Sequence, residues 1–381
     1  MKPLRILLVT ETYPPEINGV AMTTQRLVEG LRSRGHWIGV VRPHQRNEPK
    51  QTNSETWTVP GLPIPTYPSL RLGLPAYRLL GRVMDQQRPD LVHVVTEGPL
   101  GWAAVFAARK RRLPLTSGYH THFAQYSSHY HVGWLMPWVT RWLDALHKRC
   151  DATFVPTPEL AGDLTARGVP NVQPVGRGVD TELFHPGRRD SALRARWGVR
   201  DDALACLYVG RLAPEKNLTV VAQAFSAIEA RHPHARMIWV GDGPALGNLR
   251  TAHPEHVFAG SRIGTELAAH YASADLFLFG SLSETWGNVL TEALASGLGV
   301  VTYRRAAGEI LIQDGVNGYT VRPDDADAFI EAAQHLASDP AKRQELGQQA
   351  CRSMSAHGWD RIIERYETAL RKVSDSSSTT P

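Results

Sequence analysis

Glu284 and Glu292 stand with seven residues between them in the stretch Ser281-Leu-Ser-Glu-Thr-Trp-Gly-Asn-Val-Leu-Thr-Glu-Ala-Leu-Ala-Ser-Gly297. Carboxylates accept hydrogen bonds from hydroxyls, so two at this spacing can serve two neighbouring hydroxyl-bearing groups. The apolar run Asp275-Leu-Phe-Leu-Phe-Gly280 comes first and reads as a buried strand. Ala293, Leu294 and Ala295 suit a helix, and Gly297 can cap its end. Glu284 is therefore predicted in the loop beyond a strand's carboxyl end, and Glu292 about one turn into the following helix. Gly287, Asn288 and Val289 supply backbone N–H groups at that helix N-terminus, which attracts anions such as phosphate. One crevice is thus expected to combine phosphate donors, a carboxylate for ribose hydroxyls and another for sugar hydroxyls. Two glutamates around a helix start are common, so the reading rests on further chemistry.

That chemistry is cationic. Gly210-Arg211-Leu-Ala-Pro-Glu-Lys216 sets two cations just past a predicted strand, where open α/β sheets bind ligands. Arginine grips a diphosphate bidentately and lysine acts as a point charge, so Arg211 and Lys216 can stabilise a departing diphosphate. Gly19 ends the loop Glu11-Thr-Tyr-Pro-Pro-Glu-Ile-Asn-Gly19 where a helix begins, and lacks the side chain that would keep a phosphate off the backbone. A plain turn glycine is the alternative. His120, His122, His129 and His131 crowd one segment, but no acid lies among them, and no metal site is expected. In Gly241-Asp-Gly243 the next glycine, Gly247, comes one position late for a dinucleotide fingerprint. Asp325-Ala-Asp327 follows Pro323 and Asp324 and is expected to cap a late helix.

These residues need a scaffold, and the hydrophobic pattern supplies it. Strand, loop, helix and strand alternate from Leu4 to Val41, then from Leu91 to Val175, and again from Leu204 to Val321. This order marks parallel, doubly wound sheets. Residues 42–74, rich in Pro and Gly, read as a long connection with one short strand, Thr56 to Val59. Helices are predicted over Ala341–Met354 and Trp359–Val373, followed by a polar, disordered tail over 374–381. At 381 residues, two or three domains are expected.

The motifs resemble those of retaining glycosyltransferases with the GT-B fold, the group 1 (family 4) class. The resemblance covers residues 11 to 297: the Pro-Pro-x-x-x-Gly-Val loop at Pro14–Val20, Tyr119-His120-Thr121, the Gly178-Val-Asp-x-x-x-Phe184 linker, Gly210-Arg-Leu-x-x-x-Lys-Asn217 and the Glu284/Glu292 pair. Glu11-Thr-Tyr-Pro-Pro-Glu-Ile-Asn-Gly-Val20 and Thr96-Glu-Gly-Pro-Leu-Gly101 look most like bacterial GDP-mannose-dependent mannosyltransferases and related glycolipid synthases. Gly280 and Gly299 stand where the family usually has Pro, and Trp286 where it has Phe. The resemblance implies two Rossmann-like domains facing a central cleft. Residues 1–186 would bind the acceptor and 187–357 the nucleotide sugar, and a helix over 358–373 would cross back to the first domain. It implies catalytic roles for His120, Arg211, Lys216 and Glu284. The donor would be held by Gly19, Arg211, Lys216, Glu284, Gly287, Asn288, Val289 and Glu292. It also implies transfer of a hexosyl group with retention, by front-face attack assisted by the leaving phosphate, with GDP-mannose favoured over a UDP-sugar and no metal. The acceptor would be a lipid or a glycan. The alternatives are a UDP-sugar glycolipid synthase acting on diacylglycerol and a nucleotide-sugar epimerase, for which Glu97 is the one obvious spare carboxylate.

Composition is ordinary for a soluble globular protein: 42% hydrophobic, 21% charged, a net charge of +5 and three widely spaced cysteines, with neither a disulfide framework nor a Cys-x2-Cys pattern. A cytoplasmic setting is expected, with no nucleic-acid partner. Trp134, Trp138 and Trp142 recur every four residues, flanked by Leu135, Val139 and Leu146. They form either a core-facing helix stripe or an interfacial one, to which Arg109-Lys-Arg-Arg112 adds attraction for anionic lipid. The second option implies peripheral contact with the cytoplasmic face of the inner membrane.

Overall fold

Strands and helices alternate along the chain, and the strands collect into two parallel sheets. The computed structural model describes residues 2–16, 18–45, 48, 55–64, 67–120, 136–200 and 202–377. Two units result, one from the described residues up to 177 together with 359–377, the other from 178–358.

The first unit contains β1 (Arg5–Val9), β2 (Trp37–Pro43), β3 (Thr56–Val59), β4 (Gly61–Ile64), β5 (Tyr67–Gly73), β6 (Leu91–Val94), β7 (Leu115–Gly118), β8 (Ala152–Val155) and β9 (Val172–Pro174). Its sheet runs β3-β2-β1-β6-β7-β8-β9 with every neighbour parallel. β4 and β5 pair antiparallel as a separate ribbon. The second unit contains β10 (Ala205–Val209), β11 (Arg236–Val240), β12 (Val257–Gly260), β13 (Leu276–Phe279), β14 (Gly299–Tyr303) and β15 (Tyr319–Val321), in the all-parallel order β12-β11-β10-β13-β14-β15. The chain reverses its winding between β1 and β6 in the first sheet and between β10 and β13 in the second. Such reversal points open a crevice at the carboxyl ends of the strands.

Helices cover these sheets, so the central strands are apolar on both faces. All of β10, Ala205 to Val209, is buried, and the helix Leu218–Glu229 presses Val220, Val221, Ala224, Phe225 and Ile228 into the same core. In the first unit the last helix, Trp359–Ser377, buries Ile363, Tyr366, Leu370 and Val373 against Ile6, Leu8, Val28 and Phe154. Gly30, in the last turn of the helix Gly19–Ser33, leaves the space that Ile363 fills; a methyl group there would overlap the Ile363 side chain. Tyr366 Oη and His93 Nε2 lie 2.6 Å apart, and burial holds the His93 imidazole down at about 3, so it stays neutral. Among the described residues no helix is long and apolar enough to cross a membrane.

The structure departs from the sequence reading in four places. The polar composition predicts a disordered tail from residue 374. The helix instead continues to Ser377, because Val373 and Ser374 are buried against the first unit. The chain passes to the second unit at Arg177–Gly178, ahead of residue 186, because Val179 bridges to Gly358 and Phe184 joins the second core. The connection over 42–74 carries the β4–β5 ribbon besides the one expected strand; Pro63 and Pro68 hid it, since proline lowers any strand reading. Three short helices, Ser191–Arg196, Leu246–Ala252 and Ala307–Leu311, lack the length for a visible period.

Candidate functional site

The loops after β10 and β13 meet at the winding reversal of the second sheet. Lys216 follows β10 and Glu284 follows β13, and Lys216 Nζ lies 2.6 Å from Glu284 Oε1. Ser281 Oγ donates to the same oxygen at 2.9 Å. Ser283 Oγ donates to the Glu215 carbonyl at 3.0 Å, a second tie between the loops. Arg211 Nη2 lies 2.9 Å from Glu215 Oε1, four residues on, and the Glu215 side chain is fully buried. A buried carboxylate thus fixes the arginine, while Lys216 and Glu284 keep partly exposed surfaces. A cation suited to phosphate and a carboxylate suited to hydroxyls therefore adjoin. A sugar joined to a phosphate through one oxygen presents that same juxtaposition.

Backbone packing supports the Arg211 loop from below. Gly241 has φ +142°, and a methyl group there would overlap the Gly210 carbonyl. Leu212 N donates to the Asp242 carbonyl at 2.9 Å, and Ala245 N to the Leu212 carbonyl at 2.8 Å. Gly241-Asp-Gly243 thus braces the cationic loop, a role that its failure as a dinucleotide fingerprint did not suggest.

Gly287 adopts φ +93°, a conformation that glycine takes without strain, and caps the helix Asn288–Ala295 with no side-chain hydrogen bond. The amides of Asn288 and Val289 therefore open the helix beside Glu284. Glu292 lies in the second turn. Tyr271 Oη, fully buried, donates to Glu292 Oε2 at 2.9 Å. Glu292 keeps some accessible surface, yet protein crowds its carboxylate. Burial lifts its pKa to about 7, and the Tyr271 hydrogen bond pulls the other way. Lys216, Arg211, Glu284, Gly287, Asn288, Val289 and Glu292 all fall in the second unit.

Gly19 and His120 belong to the first unit. Gly19 is the first residue of its helix, and Asn18 Oδ1 caps the next two amides, Val20 N at 3.0 Å and Ala21 N at 2.9 Å. The anion-binding capacity of that helix start is thus already shared with a side chain. The loop is tied across the first winding reversal by Glu11. Glu11 N donates to Thr96 Oγ1 at 2.7 Å, and its carboxylate accepts from Leu100 N at 2.9 Å and from Gly73 N. The two motifs that the sequence reading set side by side, Glu11–Val20 and Thr96–Gly101, are therefore bonded to each other. Burial raises the Glu11 carboxyl to about 7.

His120 follows β7 at its carboxyl end. Arg177 Nη2 lies 3.3 Å from His120 Nδ1. Burial first, and the Arg177 charge second, hold the imidazole well below its usual pKa, so it is neutral. Gly118 admits the ring, since a methyl group there would overlap His120 Nε2. His122, His129, His131 and Trp134 lie outside the described residues. Glu97 is buried, with Oε1 3.3 Å from His147 Nε2, and His147 Nδ1 bonds Ser117 Oγ at 2.9 Å; this structural network takes up the carboxylate that an epimerase would need. The tryptophan stripe splits. Leu143 and Leu146 are buried, whereas Trp138 and Trp142 are exposed on the same helix, Met136–His147. Asp325 caps the helix Ala326–Ser338 through Ala328 N at 3.0 Å.

Among the described residues, His253, Glu255 and His256 bring three potential metal-ligand atoms together. Their chemistry does not suit a cation. Trp239 Nε1, a donor only, bonds His256 Nδ1 at 3.0 Å, so the ring proton sits on Nε2, the atom turned to Glu255. Glu215, Ser281, Ser283 and Tyr271 escaped the sequence reading. Glu215 carried a signal, lying one helical turn beyond Arg211; Tyr271 carried none, standing 21 residues before its partner.

Residues 17–183 match Glycosyltransferase Family 4, and residues 203–339 match Glycosyl transferases group 1. The chain is 31% identical to the GDP-mannose-dependent alpha-mannosyltransferase of Corynebacterium glutamicum, over 97% of this chain and 90% of the relative. It is 25% identical to the alpha-monoglucosyldiacylglycerol synthase of Streptococcus pneumoniae, over 95% of this chain and 85% of the relative. Its fold is similar to that of sucrose-phosphate synthase from Thermosynechococcus elongatus, with a TM-score of 0.77 at 18% identity, covering 98% of this chain and all of the other.

Proposed function

The chain belongs to the group 1 (family 4) glycosyltransferases, and on that premise we propose that it moves a hexosyl group, mannose by preference, from a nucleotide diphosphate sugar to a lipid or glycan acceptor. GDP-mannose is the favoured donor, on the 31% identity to an enzyme named for it. The observation that carries the reading is the 2.6 Å contact of Lys216 with Glu284 at the winding reversal of the second sheet. Glu284 accepts from the sugar hydroxyls. Lys216 and Arg211 bear the charge that develops on the diphosphate as its bond to the sugar breaks. Glu292 accepts from the ribose hydroxyls, and the amides of Gly287, Asn288 and Val289 receive the phosphate. The first unit takes the acceptor, and Gly19 contributes to phosphate contact. A neutral His120 hydrogen-bonds the reacting sugar, a role assigned by resemblance. The acceptor oxygen bonds to the anomeric carbon on the face the phosphate leaves, and its proton passes to the phosphate, so configuration is retained. Transfer is metal-free, with the cations in place of a metal. The enzyme works in the cytoplasm, in peripheral contact with the inner membrane.

Thermal unfolding with GDP, UDP and their sugars tests the donor. A ligand at one hundred times its dissociation constant adds about 2.7 kcal/mol of stability. GDP and GDP-mannose are expected to stabilise the protein. Stabilisation by UDP-glucose alone would favour a second reading, a glycolipid synthase acting on diacylglycerol, which the 25% likeness to such a synthase supports.

A further inference from the structure

His120 and Arg177 stand 57 residues apart in sequence and meet at one rim of the first sheet. Both belong to the first unit. His120 follows β7, Arg177 follows β9, and β8 lies between those strands. Tyr119 N donates to the Phe154 carbonyl and Val175 N to the Val155 carbonyl, each at 2.9 Å, so the chain is paired with β8 close to each of the two residues. Arg177 is buried, whereas His120 keeps some accessible surface. Arg177 Nη2 comes to 3.3 Å from His120 Nδ1. Gly118 leaves room for the Nε2 edge of the ring, so both edges of the imidazole are fixed.

A guanidinium only donates, and it keeps its proton inside proteins. Facing Nη2, His120 Nδ1 is therefore the accepting nitrogen. A neutral imidazole carries one proton, which then sits on Nε2. Neutrality follows from the surroundings. Burial first, then the Arg177 charge, then His93 and His147 all act against the charged form of the ring. His93 is itself neutral and is turned to Tyr366 and Thr116. Glu97, a carboxylate that could favour an imidazolium, is bonded to His147 instead.

We propose that Arg177 is a positioning residue for sugar transfer: by donating to Nδ1 it holds His120 as the Nε2–H tautomer, so that the ring offers the sugar a hydrogen-bond donor and cannot act as a base. Nδ1 is occupied by the guanidinium and Nε2 already carries a proton, which leaves no nitrogen to receive the acceptor's proton. That proton therefore has no route through the imidazole, in keeping with its passage to the leaving phosphate. An Nε2–H group calls for an oxygen with a lone pair to accept it, as a sugar hydroxyl or ring oxygen has. The inference deepens the proposed function and rests on its placement of His120 at the reacting sugar.

Nitrogen NMR on the full chain, isotope-labelled at histidine, reads the tautomer directly, with the His120 signals identified by their absence from His120→Gln. Wild type is expected to show a bare Nδ1 and a protonated Nε2, unchanged between about pH 6 and 8. Arg177→Met removes the donor and should let a protonated Nδ1 appear. Its transfer from GDP-mannose should fall about tenfold, as loss of one hydrogen bond does, while GDP affinity stays within about threefold of wild type. In a His120→Ala background the same substitution should change turnover by less than about twofold, because its effect passes through the ring; a purely structural role would add its loss in full. A proton on Nδ1 of wild-type His120 overturns the proposal, and that measurement needs no variant to fold. So does an Arg177→Met protein with the wild-type spectrum, or full additivity of the two losses. Activity separates this inference from the reading beneath it. If His120→Ala transfers mannose at the wild-type rate, the placement of His120 at the sugar is refuted, and with it the use of the tautomer in transfer, whatever the spectrum shows.

Discussion

Glu292 is expected to make nucleotide binding depend on pH. Burial lifts its carboxyl to about 7, so near neutrality it is about half ionised. A ribose hydroxyl donates best to the ionised form. If that form alone binds, the ionised fraction rises from about one-tenth at pH 6 to about nine-tenths at pH 8, and affinity rises about tenfold. Binding at pH 7 should then release about half a proton, read by calorimetry in two buffers of different ionisation enthalpy. Tyr271→Phe removes the 2.9 Å hydrogen bond that opposes the rise. A hydrogen bond to a charged group contributes about 1.5–3 kcal/mol, which moves the midpoint up by roughly one to two pH units and weakens binding at pH 7 by about fivefold or more. The stability sign runs the other way. A carboxyl whose folded pKa is raised contributes stability that is present below pH 4.5 and lost as pH rises through about 7. Glu292→Gln should therefore stabilise the ligand-free protein at pH 8, by on the order of 1–3 kcal/mol, while weakening nucleotide binding. Affinity that stays flat from pH 6 to 8, together with an unshifted Tyr271→Phe profile, would refute the ribose assignment.

Arg211→Ala and Lys216→Ala should each lower turnover by about a hundredfold, as loss of an anion-stabilising donor does; near-normal initial rates with a saturating donor would remove either from the reaction. His120→Ala should damage transfer more than donor binding, checked by turnover against GDP affinity on one preparation, and equal losses in both would count against a role at the sugar. The buried His93, held neutral at about 3, makes the first unit acid-sensitive: its contribution is present above pH 6.5 and lost as pH falls toward 3, and His93→Gln should flatten that part of the stability profile in urea titrations.

The scaffold could be read from the sequence because most of its strands are short apolar runs that alternate with helical stretches, and Asp275–Gly280 led directly to β13. Glu284 and Glu292 fell where expected, since a loop and the first turns of a helix follow from local pattern alone. What local pattern could not show was pairing over distance. Tyr271 meets Glu292, Ser283 meets the Glu215 carbonyl and Tyr366 meets His93 only because the sheets bring their elements together. The helix to Ser377 escaped for the same reason: a polar segment stays helical when its inner face finds a core. The tryptophan spacing predicted one face for the helix Met136–His147, but spacing alone could not say which face the core takes. Leu143, Leu146 and His147 occupy it, and Trp138 and Trp142 are left outside.

The central claim is that Lys216 and Glu284 mark the point where a nucleotide diphosphate sugar is cleaved. It is tested by transfer of labelled mannose from GDP-mannose to a lipid extract in the presence of a chelator, comparing wild type with Glu284→Ala and measuring GDP affinity alongside. The account predicts chelator-resistant transfer by wild type, and a variant that binds GDP within about threefold of wild type yet loses about a hundredfold in turnover. A variant that keeps its turnover, or that loses GDP binding and turnover together, would contradict it.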